Sequence, residues 1–315
     1  TVSYGDAVSN DARALASVIA EMGYKTGIYA ENIDAHVSDP FVRNISKLPK
    51  TDPSDVLIFN HSTGTDLCYK IKDIPGRKFM IYHNITPPCF FEEYSKQAQR
   101  LSEYGYEGTK AVADYIEAVI ADSAYNAAEL RKLGYKCDIS VRPILIPFSD
   151  YEKQPNKKII DRYSNDGYVN ILFVGRLAPN KKQEDIISAF SYYKKHINPK
   201  SRLILAGSDS GMENYSRRLR KYAEALMLDD VIFTGRISFD SILAWYRLAD
   251  VFLCMSEHEG FCVPLVESMF FKVPIIAYNS SAIKDTLGDS GLIINEKNPL
   301  ETAMLINRVI TDKTL

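Results

Sequence analysis

Glu259-Gly260-Phe261-Cys262-Val263-Pro264-Leu265-Val266-Glu267 decides how this chain folds, because it joins an apolar strand to a helix and sets two carboxylates eight residues apart. Immediately upstream, Val251-Phe252-Leu253-Cys254-Met255 is short and continuously apolar, the pattern of a strand buried on both faces. A polar loop follows from Ser256 to Gly260. Pro264 stands where the first turn of a helix tolerates proline, since the N–H it lacks has no partner there. The helix is expected to run to about Phe271, and Pro274–Tyr278 reads as the next apolar strand. Strand, loop, helix and strand make a βαβ unit, in which ligands collect at the carboxyl ends of the strands and anions meet free helix N–H groups. A carboxylate just before such a helix cannot bind phosphate, but it can accept hydrogen bonds from hydroxyls. The ligand implied is both polyhydroxylated and anionic, as a nucleotide-sugar is.

The same logic applies at Ile171-Leu172-Phe173-Val174-Gly175-Arg176-Leu177-Ala178-Pro179-Asn180-Lys181, an apolar strand ending in glycine and followed by two cations five residues apart. Glycine lets a backbone approach a diphosphate closely, and the cations can neutralise its charge. Taken singly these features are ordinary. Acidic residues near a helix start complement its dipole, and Arg or Lys after a strand is usually solvated. Their embedding in matching strand–loop–helix frames favours the functional reading. Further strands end in suggestive residues: Leu203–Gly207, Val231–Gly235 followed by Arg236 and Ile237, and Phe79–Tyr82 followed by His83. A single histidine at a strand end is usually an ordinary surface or half-buried residue.

Residues 259–267 closely resemble the Glu-x7-Glu motif of retaining glycosyltransferases of family 4, and residues 175–181 resemble that family's Gly-Arg-x4-Lys diphosphate clamp in order and spacing. The resemblance extends over nearly the whole chain. It implies an α/β fold of GT-B type: two Rossmann-like domains facing a cleft, with parallel sheets and helices on both faces. It further implies hexosyl transfer from a UDP- or GDP-hexose to a hydroxyl of a glycan or lipid-linked acceptor, with retention at the anomeric carbon, in the style of bacterial polysaccharide assembly. On this reading Arg176 and Lys181 stabilise the leaving diphosphate, Glu259 orients the hexose, and Glu267 accepts hydrogen bonds from the ribose. Backbone around Gly260, Phe261, Cys262 and Val263 caps the sugar or phosphate. Gly175 lets the diphosphate approach, Gly207, Arg236 and Ile237 frame the nucleotide, and His83 contacts the donor sugar, a looser match. Gly5 lies in the glycine-containing loop that follows the family's first strand. That strand is not in the sequence, so the chain is expected to begin one strand late, and the family's crossing helix is expected beyond its end.

There is no Asp-x-Asp, the motif that holds a divalent metal in the other main glycosyltransferase fold, so a metal-independent reaction with no cofactor is expected. Two alternatives stay open on the residues. A nucleotide-sugar 2-epimerase shares the fold but needs acid/base groups at the sugar's C2. A non-catalytic nucleotide- or glycan-binding subunit shares it too, although such a subunit would not need Glu259, Glu267, Arg176 and Lys181 together.

Composition fits an enzyme of this kind. With 315 residues, 46% hydrophobic and 25% charged, the chain is long enough for two globular domains. Five cysteines, Cys68, Cys89, Cys137, Cys254 and Cys262, show no Cys-x-x-Cys spacing. Neither a disulfide framework nor a zinc site is expected, and Cys262 is read as packing. No run approaches the roughly 20 apolar residues of a membrane span. The first 150 residues hold 16 Lys and Arg against 20 Asp and Glu, a balance of −4 within a total of −2. That argues against strong attachment to anionic lipid or nucleic acid, so a cytoplasmic protein with at most peripheral membrane contact is expected. The domains are expected at 1–148 and 169–315, joined by a polar linker at 149–168. In the first of them a helix is expected at about Ala111–Glu117 and a strand over Ile139–Ile146.

Overall fold

Apolar runs alternating with helical segments build two compact units. The coordinates are a computed structural model that describes residues 1–3 and 6–312. Unit 1 comprises Thr1–Pro88 and Gln99–Phe148, and unit 2 comprises Cys89–Ala98 and Ser149–Leu315.

Along the first half run α1 (Ala7–Glu21), β1 (Ile28–Ala30), β2 (Val42–Asn44), β3 (Val56–His61), α2 (Leu67–Lys70), β4 (Arg77–Tyr82), α3 (Lys96–Val112), β5 (Ala118–Ala121), α4 (Ala124–Lys132) and β6 (Asp138–Val141). Short polar side chains start the helices: Asp6 accepts from Ser9 N at α1 and Ser123 from Asn126 N at α4. All strand pairs are parallel, in two sheets: β1-β2, and β3-β4-β5-β6. Phe59, Met80, Tyr82, Val119 and Leu130 form the core on one face of the larger sheet. Among the described residues β3 pairs only with β4, which leaves its other edge open.

The second half adds α5 (Lys157–Tyr163), β7 (Val169–Val174), α6 (Gln183–His196), β8 (Ser201–Ala206), α7 (Glu213–Ala225), β9 (Val231–Gly235), α8 (Phe239–Leu248) and β10 (Val251–Cys254). It continues through α9 (Val263–Phe270), β11 (Ile275–Tyr278), α10 (Ile283–Leu287), β12 (Leu292–Ile294) and α11 (Pro299–Thr311). The strands form one parallel sheet in the order β12-β11-β10-β7-β8-β9. Because successive side chains point to opposite faces, its apolar runs feed two cores. Ile171, Phe173, Leu203, Leu205, Val251 and Leu253 enter one, and Leu172, Ile204, Ala206, Phe252 and Cys254 enter the other.

The structure departs from sequence expectation in four places. A helix was expected only over Ala111–Glu117, but α3 starts at Lys96. Gly105 and Gly108 weaken its helical signal, yet packing requires them: a Cβ on Gly105 would sit 2.8 Å from Gly64 N, and one on Gly108 2.7 Å from Cys68 Cβ. The strand expected over Ile139–Ile146 ends at Val141. Residues 149–168 belong to unit 2, where α5 packs on α8 and Asn156 donates to Ser241 Oγ (3.1 Å). Finally, Cys89–Ala98 joins unit 2 because Phe91 enters its core.

Candidate active site

In unit 2 the strand order reverses between β7 and β10, so their carboxyl ends flank a crevice that no crossover helix fills. Two glycines shape its floor. A Cβ on Gly207 would lie 1.9 Å from Gly175 O, so only glycine lets the loops after β7 and β8 touch, and Gly175 itself adopts φ +149°. Gly175 N and Leu177 N donate across this contact to Ala206 O and Ser208 O, each at 2.9 Å. Arg176 is left exposed, its guanidinium donating to Ser210 O at 2.9 Å.

Lys181 and Glu259 meet here. Lys181 Nζ lies 2.6 Å from Glu259 Oε2, with side chains 22% and 7% exposed. Burial pulls the lysine's pKa down, but the charge and hydrogen bond of Glu259 outweigh it, and the net shift is upward. Both residues are held by backbone. Asn180 Nδ2 donates to His258 O (3.0 Å) and Asn180 O accepts from Glu257 N (2.8 Å), which ties the turn after β7 to the loop after β10. From the loop after β11, Ser281 Oγ accepts from Glu259 N (2.7 Å), Ala282 N donates to Glu259 O (3.3 Å), and Ser280 Oγ donates to Ser256 O (2.5 Å). Ser281 holds this position at φ +43°, a left-handed backbone that costs a non-glycine residue about 1 kcal/mol.

Glu267 sits one turn into α9. Tyr151 Oη donates to its Oε1 (2.9 Å) and Tyr246 Oη to its Oε2 (2.6 Å). Burial raises its pKa, and the two phenols only partly counter that shift. Gly260, Phe261 and Val263 are half-buried around the start of α9, and Thr286 Oγ1 fixes Phe261 O at 2.5 Å. Cys262 caps the helix at φ +74°. Its thiol, that of Cys254 and a Glu259 oxygen all lie within 4.8 Å of one another, a donor set able to hold a metal that the cysteine spacing did not suggest. A hydrogen bond between the thiols lowers the pKa of Cys254 and, with burial, raises that of Cys262.

The other expected residues are more dispersed. Gly207 and Gly235 form a bridge at the ends of β8 and β9, beyond which Arg236 is exposed and Ile237 packs on a core. His83 lies in unit 1 with its side chain 1% exposed, its Nδ1 2.8 Å from Asp122 Oδ2 and its Nε2 3.0 Å from Asn60 Oδ1 and 3.8 Å from Asp11 Oδ2. Gly5 lies outside the described residues. Sequence reasoning missed Asn180, Ser280, Ser281, Tyr151 and Tyr246. Of these, only the serine pair directly after an apolar strand carried a local signal.

The sequence profile of the family described as glycosyl transferases group 1 matches residues 155–315. The chain belongs to that family. Among relatives, it is 22% identical to the serotype-specific mannosyltransferase WbdA of Escherichia coli over 326 residues, covering 99% of this chain and 39% of that protein. The chain thus spans about two fifths of the length of the curated relatives it matches. Its fold is that of the GT-B glycosyltransferases. Sucrose-phosphate synthase of Thermosynechococcus elongatus superposes with a TM-score of 0.75 at 18% identity, over 96% of this chain and 84% of that one. HepE of Anabaena, solved in complex with UDP and glucose, gives 0.62 at 21% identity over 76% and 63%. Among the described residues no helix is long and apolar enough to cross a membrane.

Proposed function

We propose that the chain transfers a hexose from a nucleoside-diphosphate sugar to a hydroxyl of a glycan or lipid-linked acceptor, with retention at the anomeric carbon. The observation that carries this reading is the Lys181–Glu259 pair at the ends of β7 and β10. An ammonium has three donors and spends one on Glu259, so the others can meet a phosphate. Glu259 Oε1 can accept from hexose hydroxyls beside it. One buried pair can therefore read both halves of a sugar diphosphate. Arg176 adds a second cation, and preorganised cations stabilise charge growing on a leaving diphosphate more strongly than water does. Glu267 keeps a lone pair on each oxygen beyond its tyrosine bonds, enough to receive ribose hydroxyls.

Retention without a protein nucleophile suits front-face attack, in which the leaving phosphate takes the acceptor's proton. The relative's name favours mannose as the hexose. No step requires a metal.

A thermal-shift panel of UDP-, GDP- and ADP-sugars tests the donor site, since a ligand at 100 times its Kd stabilises by about 2.7 kcal/mol. Silence across the whole panel would remove the proposal. Incubation with UDP-GlcNAc alone separates transfer or hydrolysis, which release UDP, from epimerisation, which gives a new sugar.

A further inference from the structure

We propose that Cys254, Cys262 and Glu259 form a site for a thiophilic divalent cation of the zinc type, whose occupation competes with a sugar for Glu259. The consequence that such a cation switches transfer off rests on the function proposed above; the site itself does not.

The donors come from different elements: Cys254 ends β10, Glu259 lies in the following loop, and Cys262 caps α9. All three are buried, and their ligand atoms lie within 4.8 Å of one another. A tetrahedral zinc with Zn–S of about 2.3 Å and Zn–O of about 2.1 Å has edges of roughly 3.6–3.8 Å. A spread of at most 4.8 Å therefore closes by no more than about 1.2 Å to reach those edges. Cys254 Sγ also lies 3.4 Å from Ser256 Oγ, which puts a fourth donor atom at nearly the distance of such an edge. Packing alone explains two small buried thiols. It does not explain a carboxylate converging on both.

Charge selects the occupant. Without metal, two neutral thiols and the Lys181–Glu259 pair sum to zero. With a dication, two thiolates, the Glu259 carboxylate and the Lys181 ammonium again sum to zero. Replacing two thiol protons by one dication is thus the exchange that leaves no net charge buried. A thiolate pair selects a soft or borderline ion over magnesium or calcium. A carboxylate bound to the metal can still accept from Lys181, but it has less charge and fewer lone pairs to offer a sugar hydroxyl, so cation and donor compete for Glu259.

The test uses the whole chain, kept reduced. Zinc is titrated calorimetrically in buffers of different ionisation enthalpy, and Co2+ serves as a spectroscopic substitute. The site requires one equivalent of metal, release of close to two protons, and a thiolate-to-cobalt charge-transfer band. Cys254→Ser and Cys262→Gly should each abolish the band and weaken binding by at least about 100-fold, more than the loss of an outer-shell partner brings. Glycine at 262 suits the φ of +74°, so that variant stays informative if Cys254→Ser does not fold. Cys137→Ser, far along the chain, should change nothing. Zinc binding without proton release, a cobalt band that survives both variants, or no stoichiometric binding would each overturn the site. If the site holds but zinc leaves transfer untouched in an active preparation, the switch is overturned. If the cobalt band is present and no sugar nucleotide is ever used, it is the proposed function that has failed.

Discussion

Unit 2 carries six parallel strands in one sheet whose central members, such as Ile171, Leu172, Leu203 and Phe252, are fully buried. Unit 1 carries its strands in two separate sheets, and the larger ends on β3, where Val56 is 55% and Ile58 38% exposed. The polar groups differ in the same sense. Lys181 and Glu259 of unit 2 lie in loops beyond strand ends, held by hydrogen bonds between neighbouring loops. Those of unit 1, His61, His83 and Asp122, are sealed within the unit. Positioning to a fraction of an ångström needs a frame that does not breathe, and the unit with the continuous sheet is the one that offers convergent charged side chains at its rim. A parallel sheet is stable only when covered on both faces, so unit 1, with its exposed Val56 and Ile58, is expected to be the softer of the two.

The largest expected effect is at the clamp. Lys181→Ala should cost about 2–4 kcal/mol of transition-state stabilisation in kcat/KM on the identified donor, as losing one preorganised donor does elsewhere. It should also lower unit 2 stability by about 3 kcal/mol, because Glu259 at 7% exposure is left without its counter-charge. Pairing Lys181→Met with Glu259→Gln should restore much of that stability and none of the turnover. Denaturant melts beside steady-state kinetics decide this, and wild-type turnover in the single variant would remove Lys181 from the mechanism.

Acid should act on unit 1 first. His61 is fully buried, and burial pushes its pKa down to about 4. Its Nε2 lies 2.7 Å from Thr109 Oγ1, whose own proton goes to Gly105 O, so Nε2 carries the hydrogen and Nδ1 faces the Cys68 thiol at 3.8 Å. The folded form thus wants a neutral ring, whereas the unfolded chain protonates near pH 6.5. The stability that His61 contributes is complete above about 6.5 and falls as pH drops towards 4, by up to about 3 kcal/mol. Urea melts at pH 7.5 and 5 should show the unit 1 transition weakening, and His61→Gln should flatten the dependence. An equal response in unit 2 would break the contrast.

Hydrogen exchange probes the frames directly. Amides of β7, β8 and β10 should open only near the global unfolding free energy, and those of β3 at least about 2 kcal/mol sooner. Equal protection in β3 and β7 would show that the open edge is covered in solution.

How much of this was legible in the sequence follows the same divide. β7, β8, β10 and β11 announce themselves because burial on both faces makes each a continuous apolar run. The glycine and cation after β7 and the glutamates around α9 then fall at strand ends as a matter of geometry. What stayed hidden was long-range. The phenol on Glu267 Oε1 comes from 116 residues away, and Phe91 gives no hint in its own neighbourhood that it belongs to the core of unit 2. α3 was obscured because the glycines its neighbours demand are the residues that weaken a helical pattern. The convergence of Cys254 and Cys262 depends on a left-handed turn at a non-glycine residue, which no spacing rule encodes.

The smallest expected effect separates the two glutamates and returns to the contrast between units. Glu267 lies within α9, bound by Tyr151 and Tyr246, and its proposed ribose contacts are alike in ground and transition states. Glu267→Gln should therefore raise KM for the donor by about tenfold, or 1.4 kcal/mol, and change kcat little. Glu259 lies on the loop side beside Lys181, where charge develops during transfer. Glu259→Gln should lower kcat while binding of the free nucleoside diphosphate stays near that of wild type. pH gives an independent handle. Because burial raises the pKa of Glu267, nucleotide affinity should decline on acidification while pH is still above the ordinary carboxylate value of about 4.3. Tyr246→Phe, which removes a bond that favours the carboxylate, should move that decline to higher pH. In unit 1, His83→Gln should leave nucleoside diphosphate affinity within about twofold, or 0.4 kcal/mol. Calorimetric titration of the product nucleotide against all four variants decides the matter. If Glu259→Gln loses nucleotide affinity while Glu267→Gln keeps it, the two roles are reversed; if His83→Gln loses it, the nucleotide is not held by unit 2 alone.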